Sequence, residues 1–323
     1  MINILKKIRH FILYYFYYYR NMKVNFFQYK KLSEDFPIFS INPHSGIIGN
    51  KCFGNIYAVR RALGGEFEKN CMIEHGMYFG KYVIENECHI PGLKTIYTFG
   101  PYRKKALEDN GIDHVNIVEV GPYILSVKNF CSQEFLAKTK RDYGKILLVF
   151  PYHSATEIVT DYKYEDFINE IKKIKKQFNI DSVFISMFWL DIKRNNHLIY
   201  EKEGFKIVCS GTRNEPHFLR RLKDLLELSD LTMSNDIGTH IGYSICLGTP
   251  HYFYRQKIEI KEYLGEGKGI EFADERMNII EEERALFSSL FGTASLEISN
   301  DQKRIVEYYW GKRYSNNDDK KLY

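Results

Sequence analysis

The sequence lacks the phosphate-binding loops of the common nucleotide enzymes. Its 323 residues contain no G-x-x-x-x-G-K-[ST] segment, and no G-x-G-x-x-G segment follows an apolar run, so neither a P-loop nucleotidase nor a dinucleotide oxidoreductase is indicated. Ser154 lacks the flanking glycines of a G-x-S-x-G elbow, which argues against a serine hydrolase. There is no D-x-D and no His, Cys and carboxylate group with metal spacing, so we expect chemistry without a metal or cofactor.

Paired cysteines and long apolar runs are also missing. The six cysteines are scattered, with no C-x-x-C pair, and several lie inside apolar stretches, which predicts buried free thiols in a reducing, cytoplasmic compartment. We find neither the apolar stretch nor the small-residue cleavage site of a secretory signal.

The chain has a small net positive charge and an ordinary proportion of hydrophobic residues. Hydrophobic residues make up 44% and charged residues 27%, with a formal net charge of +5, which is typical of a globular protein. The middle of the chain alternates basic and acidic residues, and no recognised nucleic-acid module is present, so we expect a local anionic contact and no nucleic-acid partner.

The first 35 residues form a separate basic and aromatic segment. Its uncharged core, residues 11 to 19, is too short to span a bilayer, which takes roughly 20 apolar residues. The segment could lie peripherally on the anionic inner face of the cell membrane, or it could pack as an amphipathic helix on the protein's own core. Tyrosines cover it almost all round, which favours the membrane.

Short apolar runs alternate with helical patterns through the rest of the chain. This alternation predicts α/β architecture with mainly parallel sheets. We divide it into a first half at residues 36–130, a second half at 131–275, and helices with a tail at 276–323.

Polar residues directly after the apolar runs are candidates for a site, because ligands of open parallel sheets bind beyond the carboxyl ends of the strands. In the second half, "CSGTR" and "SNDIGT" each precede a helix, and helix amino ends attract anions. The anion-binding candidates are His153, Ser154, Gly211, Thr212, Arg213, Ser234, Asn235, Gly238, Thr239 and His240. Taken singly, the hydroxyl and amide residues could be helix caps, and the histidines could have no ligand.

In the first half, Glu74-His75-Gly76 follows an apolar run. A carboxylate or imidazole at a strand tip can act as general base toward a hydroxyl. Alternatively, the two residues could be a salt-bridged Glu and a structural His. His44, in "NPHSG", is a competing base. Tyr102 and Arg103 are candidate contacts to a second substrate.

These segments resemble bacterial glycosyltransferases of the GT-B type over roughly residues 36 to 310. "SDLTMSNDIGTHIGYSICLGTPHYF" looks like the donor-domain segment that surrounds a nucleotide-sugar. The resemblance implies two Rossmann-like domains facing across a cleft, with the acceptor in the first, the donor in the second, and C-terminal helices that cross back.

A narrower resemblance is to the sialyltransferase and Kdo-transferase branches. Glu74-His75-Gly76 is similar to their acidic-acidic-Gly motif, with the second acid replaced by histidine. His153-Ser154 is similar to a His-Pro motif, and Ser234-Asn235 to a paired Ser/Thr motif. Enzymes that transfer polyol phosphates from CDP-alcohols share an early His-Gly turn and a late hydroxyl-rich strand end.

The sequence therefore predicts a metal-independent glycosyltransferase. It would move a sugar from a nucleotide-activated donor to a cell-surface polysaccharide, an O-antigen or a lipid-linked precursor. A CDP-polyol phosphotransferase and a nucleotide-sugar 2-epimerase on the same scaffold are the first alternatives, and a non-catalytic saccharide-binding or scaffold subunit is the second.

Overall fold

The computed structural model describes residues 2–37, 48–65, 67–154, 158–263 and 278–312. His44, and most of the strand predicted at residues 36 to 41, lie outside these described residues.

The first half contains a three-stranded parallel sheet in the order β1-β2-β3. β1 and β2 are buried at every position, which explains why they read as uninterrupted apolar runs and not as alternating ones. Pro101 occupies the first helical position of α5. A backbone N–H at this position has no partner within the helix, so a proline there costs no hydrogen bond. The elements are α3 (Asn55–Ala62), β1 (Cys71–Ile73), α4 (Glu85–Cys88), β2 (Thr95–Thr98), α5 (Pro101–Asp109) and β3 (Asn116–Glu119).

The second half contains a five-stranded parallel sheet in the order β7-β6-β4-β8-β9. β4 is the central strand of this sheet. β6 and β7 follow on one side of it and β8 and β9 on the other, so the strand order reverses at β4. Ligand crevices form at such reversals. The elements are α6 (Gln133–Tyr143), β4 (Ile146–Phe150), β5 (Ile158–Asp161), α7 (Tyr164–Gln177), β6 (Ser182–Ser186), α8 (Trp189–Lys193), α9 (His197–Glu201), β7 (Lys206–Val208), α10 (Phe218–Leu228), β8 (Leu231–Ser234), α11 (Thr239–Cys246), β9 (His251–Phe253) and β10 (Glu259–Tyr263).

β5 and β10 form a separate antiparallel pair, with Glu259 opposite Asp161. The sequence did not predict this pair. Its strands carry charged residues within them and are only partly buried, so they lack the apolar runs that mark the strands of the main sheets.

Two C-terminal helices, α12 (Glu281–Phe291) and α13 (Asn300–Trp310), follow the second sheet. Trp310 is fully buried against α11 of the second half, so close that a Cβ on Gly242 would lie 2.1 Å from its ring. The neighbouring Tyr309 stacks on Tyr102 of the first half at 4.1 Å between ring centroids. α13 therefore joins both halves, and the predicted two-domain, GT-B-like arrangement with helices that cross back is confirmed.

The N-terminal segment forms the long helix α1 (Ile2–Asn21) and the one-turn helix α2 (Tyr29–Leu32). No helix in the described part of the chain is long and apolar enough to cross a membrane.

The six cysteines are free thiols, as predicted. Four are buried, while Cys131 and Cys246 are partly exposed.

Candidate functional site

A cavity of about 340 Å³ lies between the two halves. Its walls come from the carboxyl ends of β1, β4, β6, β7 and β8 and from the first turns of α3, α10 and α11. This is the crevice that the reversal of strand order predicts. A ligand in it would touch both halves at once.

The two halves are hydrogen-bonded to each other on both sides of the cavity. On one side, the Met77 N–H donates to Thr239 Oγ1 at 2.9 Å. On the other, the Phe53 N–H donates to the Arg213 carbonyl oxygen at 2.5 Å. Beside that contact, a Cβ on Gly54 would lie 2.3 Å from the Pro216 carbonyl oxygen, and Gly54 has a φ of +77°. A glycine is therefore required there for both the backbone angle and the close approach.

Three residues of the cavity lining each carry a buried polar atom that has no hydrogen-bond partner among the described residues. These atoms are Asn55 Nδ2, Ser210 Oγ and His240 Nε2. Asn55 and Ser210 are 1% and 3% exposed. Since nearly all buried polar groups in proteins find a partner, such a group of three indicates a site for a polar ligand or ordered water.

His75 lines the cavity on the side of the first half. The Tyr78 hydroxyl lies 3.0 Å from its ring nitrogens. Burial, with a further contribution from the positive charge of Arg213, lowers the pKa of His75 to about 4. The imidazole is therefore neutral at pH 7 and has one ring nitrogen that can accept a proton, as a general base requires.

Glu87 lies beside His75. A Cβ on Gly49 would be 3.0 Å from Glu87 Oε2 and 3.2 Å from His75 Nδ1, so both side chains border the same glycine. Burial raises the pKa of Glu87, and its Oε2 has no partner in the part of the chain that the structure describes. The sequence analysis missed Glu87 and Tyr78, because neither directly follows an apolar run.

Glu74 points away from the cavity. It is 1% exposed, and its carboxylate accepts hydrogen bonds from Arg103 Nε at 3.0 Å, from Arg103 Nη2 at 2.6 Å and from the Thr98 hydroxyl. Both oxygens are occupied by this buried ion pair. Glu74 is therefore not placed to take a proton from a substrate in the cavity, and it makes the kind of salt bridge that the alternative interpretation expects.

The two residues predicted to contact an acceptor also lie outside the cavity lining. Arg103 is fully buried, and besides Glu74 it donates to the carbonyl oxygens of Tyr78 and Tyr82, each at 2.8 Å. The Tyr102 hydroxyl donates to Glu283 at 2.7 Å. Arg103 therefore holds the first half together, and Tyr102 joins the first half to α12, so neither is placed to contact an acceptor in the cavity.

Ser234 and Asn235 are fully buried and shape the loop after β8. Ser234 Oγ donates to the Asp236 carbonyl oxygen at 2.8 Å. Asn235 Oδ1 accepts the Tyr152 N–H at 2.6 Å, and its amide donates to Gln256 at 3.0 Å. Neither lines the cavity, so the prediction that they contact a donor is corrected in favour of a structural role.

Asp236, the next residue, does line the cavity, and the sequence analysis did not select it. Its carboxylate accepts two hydrogen bonds from Arg284 of α12, at 2.8 and 2.6 Å. Such a bidentate pair fixes the relative orientation of the two side chains as well as the distance between them. One of the helices that follow the second sheet therefore holds the loop before α11 in place.

Gly238, Thr239 and His240 form the start of α11, and all three line the cavity. The His240 ring stacks on Phe150 with 4.7 Å between centroids. Burial and the nearby His153 lower the pKa of His240 to about 3. The positive end of the α11 dipole and a neutral imidazole therefore face the cavity.

His153 also lines the cavity, from the loop after β4. Its ring stacks on Phe188 at 4.0 Å between centroids, and Nδ1 lies 3.1 Å from the Ser154 carbonyl oxygen. Since a carbonyl accepts hydrogen bonds, Nδ1 carries the proton and Nε2 is left for a ligand.

The remaining predicted donor residues lie around the cavity and not in its lining. Ser154 is buried, and its hydroxyl accepts the Thr160 N–H at 3.2 Å. Gly211 makes the turn after β7 with a φ of +120°. Thr212 is buried, while Arg213 is exposed and close enough to influence the pKa of His75.

The structure thus brings five of the predicted residues into the cavity lining: His75, His153, Gly238, Thr239 and His240. In the described part of the chain, no group of three or more His, Cys, Asp or Glu side chains could hold a metal ion. That the reaction needs no metal stays a prediction.

Five histidines, including His197 and His251, have pKa values lowered chiefly by burial, and this makes stability depend on pH. The pKa values of His75, His240 and His217 are lowered to about 4, 3 and 3, chiefly by burial, whereas the unfolded value is about 6.5. Below pH 6.5 the unfolded chain binds protons that the folded chain does not bind, so the free energy of unfolding should fall from pH 6.5 to pH 5. Above about pH 7.5 these histidines are neutral in the unfolded chain as well, so they should contribute no further change.

Urea unfolding at pH 7.5, 6.5, 5.8 and 5.0 checks this expectation. His217→Phe removes one of these protonation sites and keeps an aromatic ring beside Tyr18, so it should reduce the slope. Equal stability of the wild type at pH 6.5 and 5.0 would contradict the burial of these imidazoles.

The chain is similar to several solved structures, all at low identity. The wall teichoic acid polymerase TagF matches with a TM-score of 0.38 and 16% identity, over 73% of this chain and 66% of that one, so this chain spans about two thirds of the polymerase's length. The UDP-GlcNAc 2-epimerase from Neisseria meningitidis bound to UDP-GlcNAc matches with 0.38 and 14%, over 84% of each chain. S. aureus MnaA with UDP matches with 0.37 and 12%, over 84% and 83%.

TM-scores this low carry no conclusion about activity or ligand. No family model matches the sequence, and no curated protein matches it.

Proposed function

We propose that this chain is a glycosyltransferase that holds a nucleotide-sugar in the cavity between its halves. The observation that carries the proposal is a set of three cavity-lining residues, each with a buried polar atom that has no partner among the described residues: Asn55 Nδ2, Ser210 Oγ and His240 Nε2. A cavity of about 340 Å³ is of the size that small-molecule sites have.

The second half would bind the donor. The start of α11 offers backbone N–H groups and the positive end of the helix dipole, which suit a diphosphate. The Arg213 guanidinium, and the His153 ring when both of its nitrogens carry protons, would supply the cationic contacts to the leaving phosphate. Departure of the nucleoside diphosphate would then be eased by charges already in place, without reorganisation.

The first half would supply the base. The acceptor hydroxyl oxygen attacks the anomeric carbon of the sugar, the bond from that carbon to the phosphate oxygen breaks, and the hydroxyl proton passes to His75. An anionic diphosphate near Arg213 would offset the positive charge that lowers the pKa of His75. Donor binding would thereby offset the smaller of the two causes that lower the pKa of His75, while burial, the larger cause, would remain.

The proposed acceptor is a cell-surface polysaccharide, an O-antigen or a lipid-linked precursor. A lipid-linked acceptor would be met at the inner face of the cell membrane. A basic helix such as α1 could also lie there.

A thermal-shift screen with UDP, GDP, CMP and CDP tests the proposal. We expect at least one nucleotide to raise the melting temperature by several degrees, because a ligand at 100 times its Kd adds about 2.7 kcal/mol to stability. No shift with any of them would indicate a non-catalytic subunit.

Product analysis with the activated sugar then separates the enzyme classes. A glycosyltransferase releases nucleoside diphosphate in step with acceptor consumption. An epimerase turns over without an acceptor, and a polyol phosphotransferase moves the donor's phosphate to the acceptor. Either of the last two results would replace the proposed reaction while leaving the binding site in place.

Ser210→Ala should weaken binding of the nucleotide without weakening the fold. The variant removes a buried hydroxyl that has no partner among the described residues, so the free energy of unfolding should stay the same or rise. If the ligand pairs with that hydroxyl, its loss costs about 0.5–1.5 kcal/mol of binding, or roughly 2- to 12-fold in Kd.

Calorimetric titration and urea unfolding of the two proteins measure both effects. Ser289→Ala is a matched control, because Ser289 is an exposed serine on α12 outside the cavity lining. Equal Kd values for wild type and Ser210→Ala would show that Ser210 does not contact the nucleotide.

A further inference from the structure

One face of α1 is packed on the protein and the opposite face is exposed. The exposed face carries Ile8, Ile12, Phe16 and Tyr19, which are 49%, 60%, 61% and 61% exposed. Their spacing of three and four residues places them in one stripe along the helix. Phe11 and Tyr15 widen the stripe, at 41% and 36% exposed.

The packed face holds α1 on the body of the protein. Tyr18 packs on His217 with 4.9 Å between ring centroids, and the Asn21 amide donates to Glu215. Arg221 Nη2 donates to the Asn21 carbonyl oxygen at 2.5 Å. Tyr14 is hydrogen-bonded to Tyr57 of α3. The helix therefore contacts both halves, and the orientation of the exposed stripe is fixed relative to the cavity.

The charge of this segment is entirely basic. Residues 1–33 contain seven Lys or Arg residues and no Asp or Glu, and the first acid is Glu34. Since the whole chain carries a net charge of +5, the rest of the chain is slightly acidic. Two copies meeting through α1 would bring two basic helices together, whereas an anionic lipid surface would attract them.

We propose that α1 is a docking helix for an anionic lipid bilayer. It lies in the plane of the headgroups with the aromatic and aliphatic stripe inserted and the basic residues near the lipid phosphates. Tyr and Phe are the side chains that favour this depth. This inference goes beyond the proposed function, and it requires no nucleotide and no turnover.

Co-sedimentation of the full chain with lipid vesicles tests the proposal. The vesicles are pure phosphatidylcholine in one series and contain 30% phosphatidylglycerol in the other, each at about 50 mM and 500 mM salt. We expect at least tenfold tighter binding to the anionic vesicles at low salt, and weaker binding at high salt because surface charges are screened.

The double variant Ile12→Ser/Phe16→Ser removes the centre of the stripe and keeps every charge. It should bind anionic vesicles at least tenfold more weakly than wild type, with an unchanged melting temperature. Leu198→Ser/Tyr308→Ser is the matched control, since both of these side chains are 44% exposed and lie outside α1. The control should bind like wild type.

Three results would overturn the proposal. The wild type would fail to bind anionic vesicles at low salt, or the control would lose binding as much as the α1 variant. Alternatively, analytical ultracentrifugation would show a dimer that Ile12→Ser/Phe16→Ser converts to a monomer, so that a second copy covers the stripe. None of these results depends on whether the cavity binds a nucleotide, so failure of docking and failure of the proposed function are distinguishable.

Discussion

His75→Gln is expected to reduce the rate of sugar transfer by about 10²- to 10⁴-fold, the usual contribution of a general base. His75 is the imidazole that lines the cavity on the side of the first half, and glutamine keeps a polar side chain of similar length that cannot take the proton. The measurement is kcat with saturating donor and acceptor.

The affinity for the nucleotide should stay within a few-fold in the same variant, because the proposed donor contacts lie in the second half. His75→Ala gives a second readout, since added imidazole can enter the cavity and should restore part of the rate. Unchanged kcat in His75→Gln would remove His75 as the base. A large loss of nucleotide affinity would instead assign His75 to donor binding.

Glu74→Gln is expected to lower the free energy of unfolding by about 3–5 kcal/mol, the usual cost of removing one partner of a buried ion pair. Glu74 and Arg103 are 1% and 0% exposed, so the change leaves the Arg103 guanidinium charged and without a counter-charge inside the first half. Urea unfolding at pH 7 measures the loss.

Two further variants make this prediction specific. Glu74→Gln/Arg103→Met removes both charges and should recover much of the stability, because a buried pair contributes little net stability compared with apolar residues. Asp142→Asn breaks the exposed Lys138–Asp142 pair, whose side chains are 69% and 49% exposed, and should change stability far less. If Glu74→Gln is as stable as the wild type but no longer transfers sugar, Glu74 acts as the general base.

The sequence predicted the architecture because parallel strands buried on both faces appear as apolar runs. β4, with the sequence "ILLVF", and β8 are buried at nearly every position. The antiparallel pair β5 and β10 was missed because its partly buried strands have no such run. Pairing between segments about 100 residues apart leaves no local pattern in the sequence.

The site was predicted in outline and corrected in detail. The strand ends that meet at the cavity were identified, and His75, His153 and Thr239 line it. Glu74 follows β1 directly, yet its partner Arg103 is 29 residues away, and the sequence gives no sign that the two meet. The same limit applies to Asp236 and Arg284, which come from different elements.

Side-chain direction explains the other corrections. Ser234 and Asn235 lie at a correctly predicted strand end, but their polar atoms turn inward to Asp236, Tyr152 and Gln256. Asn55 and Ser210 reach the cavity instead. Whether a polar residue at a strand end faces the ligand or the loop depends on the backbone of that loop, which the residue types do not specify.

A crystal structure of the full chain with the nucleotide that gives the largest thermal shift tests the central claim most directly. We expect the diphosphate to lie in the cavity between the start of α11 and His153, within hydrogen-bonding distance of Ser210 or His240. The sugar should face His75. A nucleotide bound elsewhere on the protein, or an empty cavity at saturating nucleotide, would contradict that claim.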